Sequence, residues 1–180
     1  MKLKAGEKGF TLIELLVGLS IAAFVVGAAS MTTITMMRLS PKTNNWAIAL
    51  RQVQDAGYWI SRDVQMSQGE IEDNPTPPEF LRLTLPQPPP ALAKTIVYKF
   101  EDMSGEQWLV RTESTGGQTS IATDISISDT HANYVDDPDD QDGGTLTFTI
   151  TATSGTAEVT RETVTREYQA LPRLMPAPAP

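Results

Sequence analysis

The strongest pattern along the chain is an apolar run. From Phe10 to Met37 every residue is apolar or small and uncharged except Glu14. These roughly 28 residues exceed the ~20 that an α-helix needs to cross a bilayer, so the run predicts a membrane-spanning helix. Beyond Ser40-Pro41, where the proline predicts a bend or brief break, a second pattern begins. Trp46, Leu50, Val53, Gly57, Ile60 and Val64 recur at alternating steps of four and three, one face of a helix continuing to about Gln68. A coiled-coil stalk is the alternative for this half, but about three heptads with Gly57 in the seam make a weak one.

After Gly69 the period changes to two. Asn74-Pro75-Thr76-Pro77-Pro78 and Pro86-Gln87-Pro88-Pro89-Pro90 are helix breakers that enclose a short alternating run, Leu81 to Leu85. Further runs follow at Thr95 to Glu101, Gln107 to Glu113, Ile125 to Ser128, Thr145 to Thr151 and Glu158 to Tyr168, with turns such as Ser104-Gly105 and Thr115-Gly116-Gly117 between them. The clearest alternates Leu146, Phe148 and Ile150 with threonines, one face buried and one wet. In the last run Val159 and Val164 fall on opposite parities, which predicts a bulge, or a shift in which face is buried, between Thr160 and Thr163. From Pro172 the chain is expected to be an extended, mobile, Pro-rich tail. The fold class predicted is α+β: one long N-terminal helix packed on an antiparallel β-sheet. Its segments are 1–9, a membrane half of the helix at 10–37, an amphipathic half at 38–68, a sheet domain at 69–171 and a tail at 172–180.

Charge adds direction to this plan. The net charge is -8, yet Lys2, Lys4 and Lys8 against Glu7 make the first nine residues basic, leaving an acidic body. Lysines before an apolar run stay on the cytoplasmic side, which places the C-terminal part outside the cytoplasm. An acidic body disfavours non-specific nucleic-acid binding. The chain has no cysteine and one histidine, His131, so thiol chemistry and histidine metal clusters are out of reach. His131 is expected in a solvated loop beside Asp129 and Thr130, and residue supply argues against an enzyme. Tyr58, Trp59, Trp108 and Tyr134 are expected to be partly buried against the sheet.

Glu14 stands out because a carboxylate in a membrane helix costs on the order of 2.5–3.5 kcal/mol at the bilayer centre and less toward the interface. A cut between Gly9 and Phe10 would create an α-amino cation one helical turn before it, a counter-ion on the same face. A secretory signal peptide cut at Gly27-Ala28-Ala29 before Ser30 and a plain uncleaved anchor are the other readings of this segment. The run is long for a signal peptide and contains an acid. Gly18 with Ala22, and Ala23 with Gly27, give small-xxx-small spacings that suit close helix packing, although such residues are common in any membrane helix.

The stretch Lys8-Gly9-Phe10-Thr11-Leu12-Ile13-Glu14-Leu15-Leu16-Val17 resembles the processing signature of type IV prepilins and type II secretion pseudopilins. That resemblance implies a leader, residues 1–9, removed after Gly9 by a prepilin peptidase that also methylates the new amino group of Phe10. It implies assembly with other pilins or pseudopilins in a filament, with Glu14 serving assembly, and a pilin-like fold. The membrane half of the helix lacks the proline, and the C-terminal region the cysteine pair, common in major pilins. The chain therefore looks more like a minor pilin or pseudopilin.

A final candidate is the acidic run Asp136 to Asp142. Asp137, Asp139, Asp140 and Asp142 beside Gly143 offer the hard oxygen ligands that Ca²⁺ takes. An EF-type loop alternates its ligands, and this run has one residue too many. A solvated acidic hairpin loop is the leading reading, and some pseudopilins bind calcium in their sheet domain. The function expected is a structural subunit, non-enzymatic and without a required cofactor, held in the cytoplasmic membrane by a single pass before assembly. The alternative is a membrane-anchored extracytoplasmic module that binds calcium, a sugar or DNA.

Overall fold

The computed structural model describes residues 10–67, 70–87, 92–136 and 144–173. One helix, α1, runs from Leu12 to Met66. Pro41 lies inside it, so the break expected at Ser40-Pro41 does not occur. Proline removes a single hydrogen bond, and the uninterrupted helix on both sides carries the chain through. The molecule divides into two units, Met1–Pro41 and Lys42–Pro180.

The Lys42–Pro180 unit holds two antiparallel sheets where the sequence suggested one. The first contains β1 (Ile71–Asp73), β2 (Glu79–Leu85), β3 (Lys94–Met103), β4 (Glu106–Glu113) and β5 (Gly117–Ala122), in chain order. The second contains β6 (His131–Val135), β7 (Thr145–Ser154) and β8 (Glu162–Ala170). Ser104 and Gly105 both take positive φ, 62° and 86°, and make the two-residue turn between β3 and β4. Asn74 and Asp73 tie the sheets together: Asn74 Nδ2 donates to the Ala132 carbonyl at 2.6 Å, and Asp73 accepts from the Tyr134 N–H at 2.8 Å.

Several local expectations are corrected. Ile125 to Ser128 is not a strand. Ile125 makes only an isolated bridge to Ala152, because Asp124 has φ 57° and the Ser126 hydroxyl bonds to Asp129 at 2.6 Å, turning the backbone away. His131 lies on β6 and not in a loop, though it is exposed as expected. No bulge interrupts β8. Arg161 and Thr160 donate their N–H groups to the Ala157 carbonyl, so Val159 sits in a turn before the strand and is 88% exposed. The β7–β8 register is then continuous from Leu146–Ala170 to Ser154–Glu162. The polar strand β5 and the short strands β1 and β6 carry too little apolar alternation to be legible in sequence.

The core lies where the second half of α1 meets both sheets. Val53, Ile60 and Val64 pack with Leu81, Leu83, Ile96, Leu109, Leu146, Phe148 and Ile150, all fully buried. Burying each such side chain is worth roughly 1.5–3 kcal/mol. The stripe shifts at its start: Trp46 stays 45% exposed, while Ala49 and Ala56 are buried. Tyr58 is exposed too, contrary to expectation, whereas Trp59, Trp108 and Tyr134 are partly buried.

The last segment runs alongside α1 in the same direction. Lys42 pairs with Glu162 at 3.2 Å, and Asn45 Nδ2 donates to the Thr160 carbonyl at 2.8 Å. Farther on, the Tyr168 hydroxyl donates to the Val53 carbonyl and the Arg173 N–H to the Gln65 carbonyl, each at 3.1 Å. Pro172 and Arg173, expected in the mobile tail, are thus held against the helix.

Candidate functional site

Thr11 opens the helix. Its hydroxyl and its carbonyl both accept from the Glu14 N–H, at 3.3 Å and 3.1 Å. With Glu14 three residues on, Thr11 makes the threonine half of a capping box, which fixes where the first turn begins. Phe10, 84% exposed, precedes the cap. Glu14 sits in the first turn, where the helix dipole favours a negative charge by about 0.3–1 kcal/mol. Among the described residues its carboxylate has no ion-pair partner. Gly9 lies outside the described residues.

Every described residue from Phe10 to Asn44 is exposed, including Leu12, Ile13, Leu19, Phe24 and Met31. An 18-residue window of α1 has a mean hydropathy of 2.3, and the helix is long and apolar enough to cross a membrane. Its hydroxyls are satisfied within the helix: Ser20, Ser30, Thr32, Thr33 and Thr35 each donate to the carbonyl four residues back. That removes the main cost of placing serine and threonine in lipid. At Gly18 and Gly27 an added Cβ would meet nothing within 4 Å, so both small-residue faces are open.

A second cluster, missed by sequence, joins α1 to the first sheet. Asp63 is fully buried and accepts from Arg111 Nε, from the Tyr98 hydroxyl at 2.7 Å and from Arg62 Nη2 at 3.1 Å. Arg111 also donates to Glu113, which pairs with Lys94. Arg62 stacks over Trp59 at 4.0 Å. Burial, and then the Asp63 carboxylate, push the Tyr98 phenol well above its ordinary pKa. Burial works against the Arg111 charge, but hydrogen bonds to Asp63 and Glu113 outweigh it and hold its pKa above the usual value. Hydrogen bonds from Lys94 and Arg111 lower that of Glu113. The signal was present: Asp63 lies three residues after Ile60 on the apolar face, and Arg111 follows Leu109 on the inward parity of β4.

Other candidates separate from these. Asp137, Asp139, Asp140 and Asp142 lie outside the described residues, between the paired strands β6 and β7. Among the described residues no group of three or more acidic or histidine side chains is placed to hold a metal. A cavity of about 570 Å³ is walled by Pro77, Pro78, Phe80, Phe100, Ile127 and Thr130.

The family model for the prokaryotic N-terminal methylation motif matches residues 4–30. No curated protein and no solved structure matches the chain.

Proposed function

We propose that this chain, type IV pilin-like in its methylation motif and long apolar helix, is a structural, non-enzymatic subunit of a type IV pilus or type II secretion-type pseudopilus. The observation that carries the reading is the joining of that motif to a helix whose apolar surface is exposed from Phe10 to Leu39. Leaving each large apolar side chain in water forgoes roughly 1.5–3 kcal/mol, so lipid first and neighbouring subunits later must cover them. The open faces at Gly18 and Gly27 support close approach of another helix.

In this proposal a prepilin peptidase cuts after Gly9 and methylates the amine of Phe10. Lys2, Lys4 and Lys8 hold the leader on the cytoplasmic side, and the Lys42–Pro180 unit lies outside the cytoplasm. The Phe10 amine then pairs with Glu14, of the same subunit or of a neighbour in the filament. The missing membrane-half proline and cysteine pair favour a minor subunit. Mass spectrometry of the mature N-terminus tests the assignment: a chain beginning at methylated Phe10 supports it, and one beginning at Met1 or Ser30 overturns it.

The 570 Å³ cavity favours a second reading, an anchored binding module outside any filament. An unprocessed chain absent from sheared filaments is its distinguishing outcome.

A further inference from the structure

The order of contacts along α1 gives the Lys42–Pro180 unit two distinct ends. Glu162 pairs with Lys42, Tyr168 reaches Val53 and Arg173 reaches Gln65, so the β7–β8 turn, residues 155–161, sits at the Lys42 end. Asn45 fastens it there through the Thr160 carbonyl. At the opposite end, Asp63 binds Arg111, Glu113 binds Arg111 and Lys94, and Leu92 precedes Lys94 by two residues.

Val159, at the tip of that turn, is 88% exposed, and Thr156, Ala157 and Glu158 are exposed beside it. Trp46, one helical turn after Lys42, is 45% exposed, and lines a small hollow with Lys42, Thr43 and Glu162. Val159 and Trp46 are thus presented to solvent at the Lys42 end, as Leu92, 90% exposed, is near the other, so what lies beside each end is what distinguishes them. Glu158 and Arg161 leave the turn without net charge, so charge attraction does not select its partner.

Chain length says what lies beside this end. The uncharged stretch from Leu15 to Met37 matches a hydrocarbon core of about 30 Å with some tilt. The headgroup layer adds about 5–7 Å, and at 1.5 Å per residue that reaches Lys42. An amphipathic tryptophan and a neutral turn with an apolar tip suit that layer.

We propose that the β7–β8 turn, led by Val159 and flanked by Trp46, rests on the phospholipid headgroup layer before the subunit is assembled. This rests on the membrane-anchored reading above. The contact orients the unit on the bilayer and is given up when the subunit leaves it.

Because the chain has no cysteine, single labels can be placed cleanly in the full-length protein. Fluorophores on Thr156→Cys, Leu92→Cys and Ala22→Cys would be read in vesicles of phosphatidylethanolamine and phosphatidylglycerol carrying nitroxides at headgroup or acyl-chain depth. The expected result is headgroup-level quenching at 156, none at 92 and acyl-level quenching at 22. Adding Val159→Asp should abolish quenching at 156 and leave 22 unchanged. If 156 behaves like 92 while 22 is quenched, the proposal falls and the anchored reading stands. If 22 is not quenched, the anchored reading falls and takes the proposal with it. Protection of 156 that follows protein density and ignores the lipid nitroxides would assign the turn to a second copy of the chain and overturn the proposal.

Discussion

Asp63 of α1 and Arg111 of β4 form a buried ion pair whose carboxylate is also bonded by Tyr98 and Arg62. Removing Asp63 takes from Arg111, itself buried, the more deeply buried of its two acidic partners and leaves it Glu113. Asp63→Ala should therefore destabilise the Lys42–Arg173 unit by about 3–5 kcal/mol. Replacing the set together, as Asp63→Leu with Arg111→Met and Tyr98→Phe, should recover most of that loss, because Glu113 keeps Lys94, and Arg62, which loses Asp63, is solvent-accessible. Urea denaturation of the two variants beside the native unit checks both.

The same cluster sets an alkaline limit. The Tyr98 phenol ionises near 10.0 in the unfolded chain and well above it when folded. Above that pH the unfolded state binds fewer protons than the folded one, so unfolding stability falls as pH rises. Below it this group contributes no slope. Tyr98→Phe should flatten the alkaline decline, while costing roughly 1.5–3 kcal/mol at neutral pH for the lost bond to a charged acceptor. Melting temperature measured across the alkaline range is the readout.

Gly57 lies under the Tyr168 ring. A Cβ there would come within 2.3 Å of the ring, which stacks on Phe148 at 5.2 Å and is tied to the Val53 carbonyl. Alanine usually favours a helix interior by about 0.5–1 kcal/mol over glycine. The forced displacement costs about 1–3 kcal/mol, so Gly57→Ala should be net destabilising. Gly57→Ala combined with Tyr168→Leu should lose less than the sum of the two changes, as a thermal melt of each would reveal.

The unit from Lys42 to Arg173 should fold without the apolar half of the helix, because the Ala49–Val64 face covers both sheets. A cooperative melt and a monomeric profile on size exclusion are expected. Aggregation would count against this architecture.

Glu14→Leu should insert and be processed like the native chain, since removing a carboxylate from a membrane helix relieves a cost. Assembly should be lost, because the Phe10 amine then has no charge partner. Glu14→Gln should be impaired as well, the amide keeping shape without charge. Recovery of Glu14→Leu in sheared filaments at the native level would refute charge pairing.

Much of this molecule was legible from local pattern. The span, the amphipathic continuation at Val53, Ile60 and Val64, and the strands around Leu81–Leu85, Thr95–Glu101, Gln107–Glu113 and Thr145–Thr151 all follow from periodicity, because burial on a helix or a strand repeats within a few residues. The methylation motif is likewise contiguous. Tertiary structure alone decided that Tyr98 and Arg111 lie opposite each other across β3 and β4, and that both meet Asp63, 48 residues before Arg111. It alone decided that Gly57 makes room for Tyr168, that Val159 leaves the strand, and that Ile125 to Ser128 turns away. A buried charge or a missing side chain in a helix is favourable only when a distant partner arrives in register. That register is set by how the whole core packs, so no local stretch of sequence carries it.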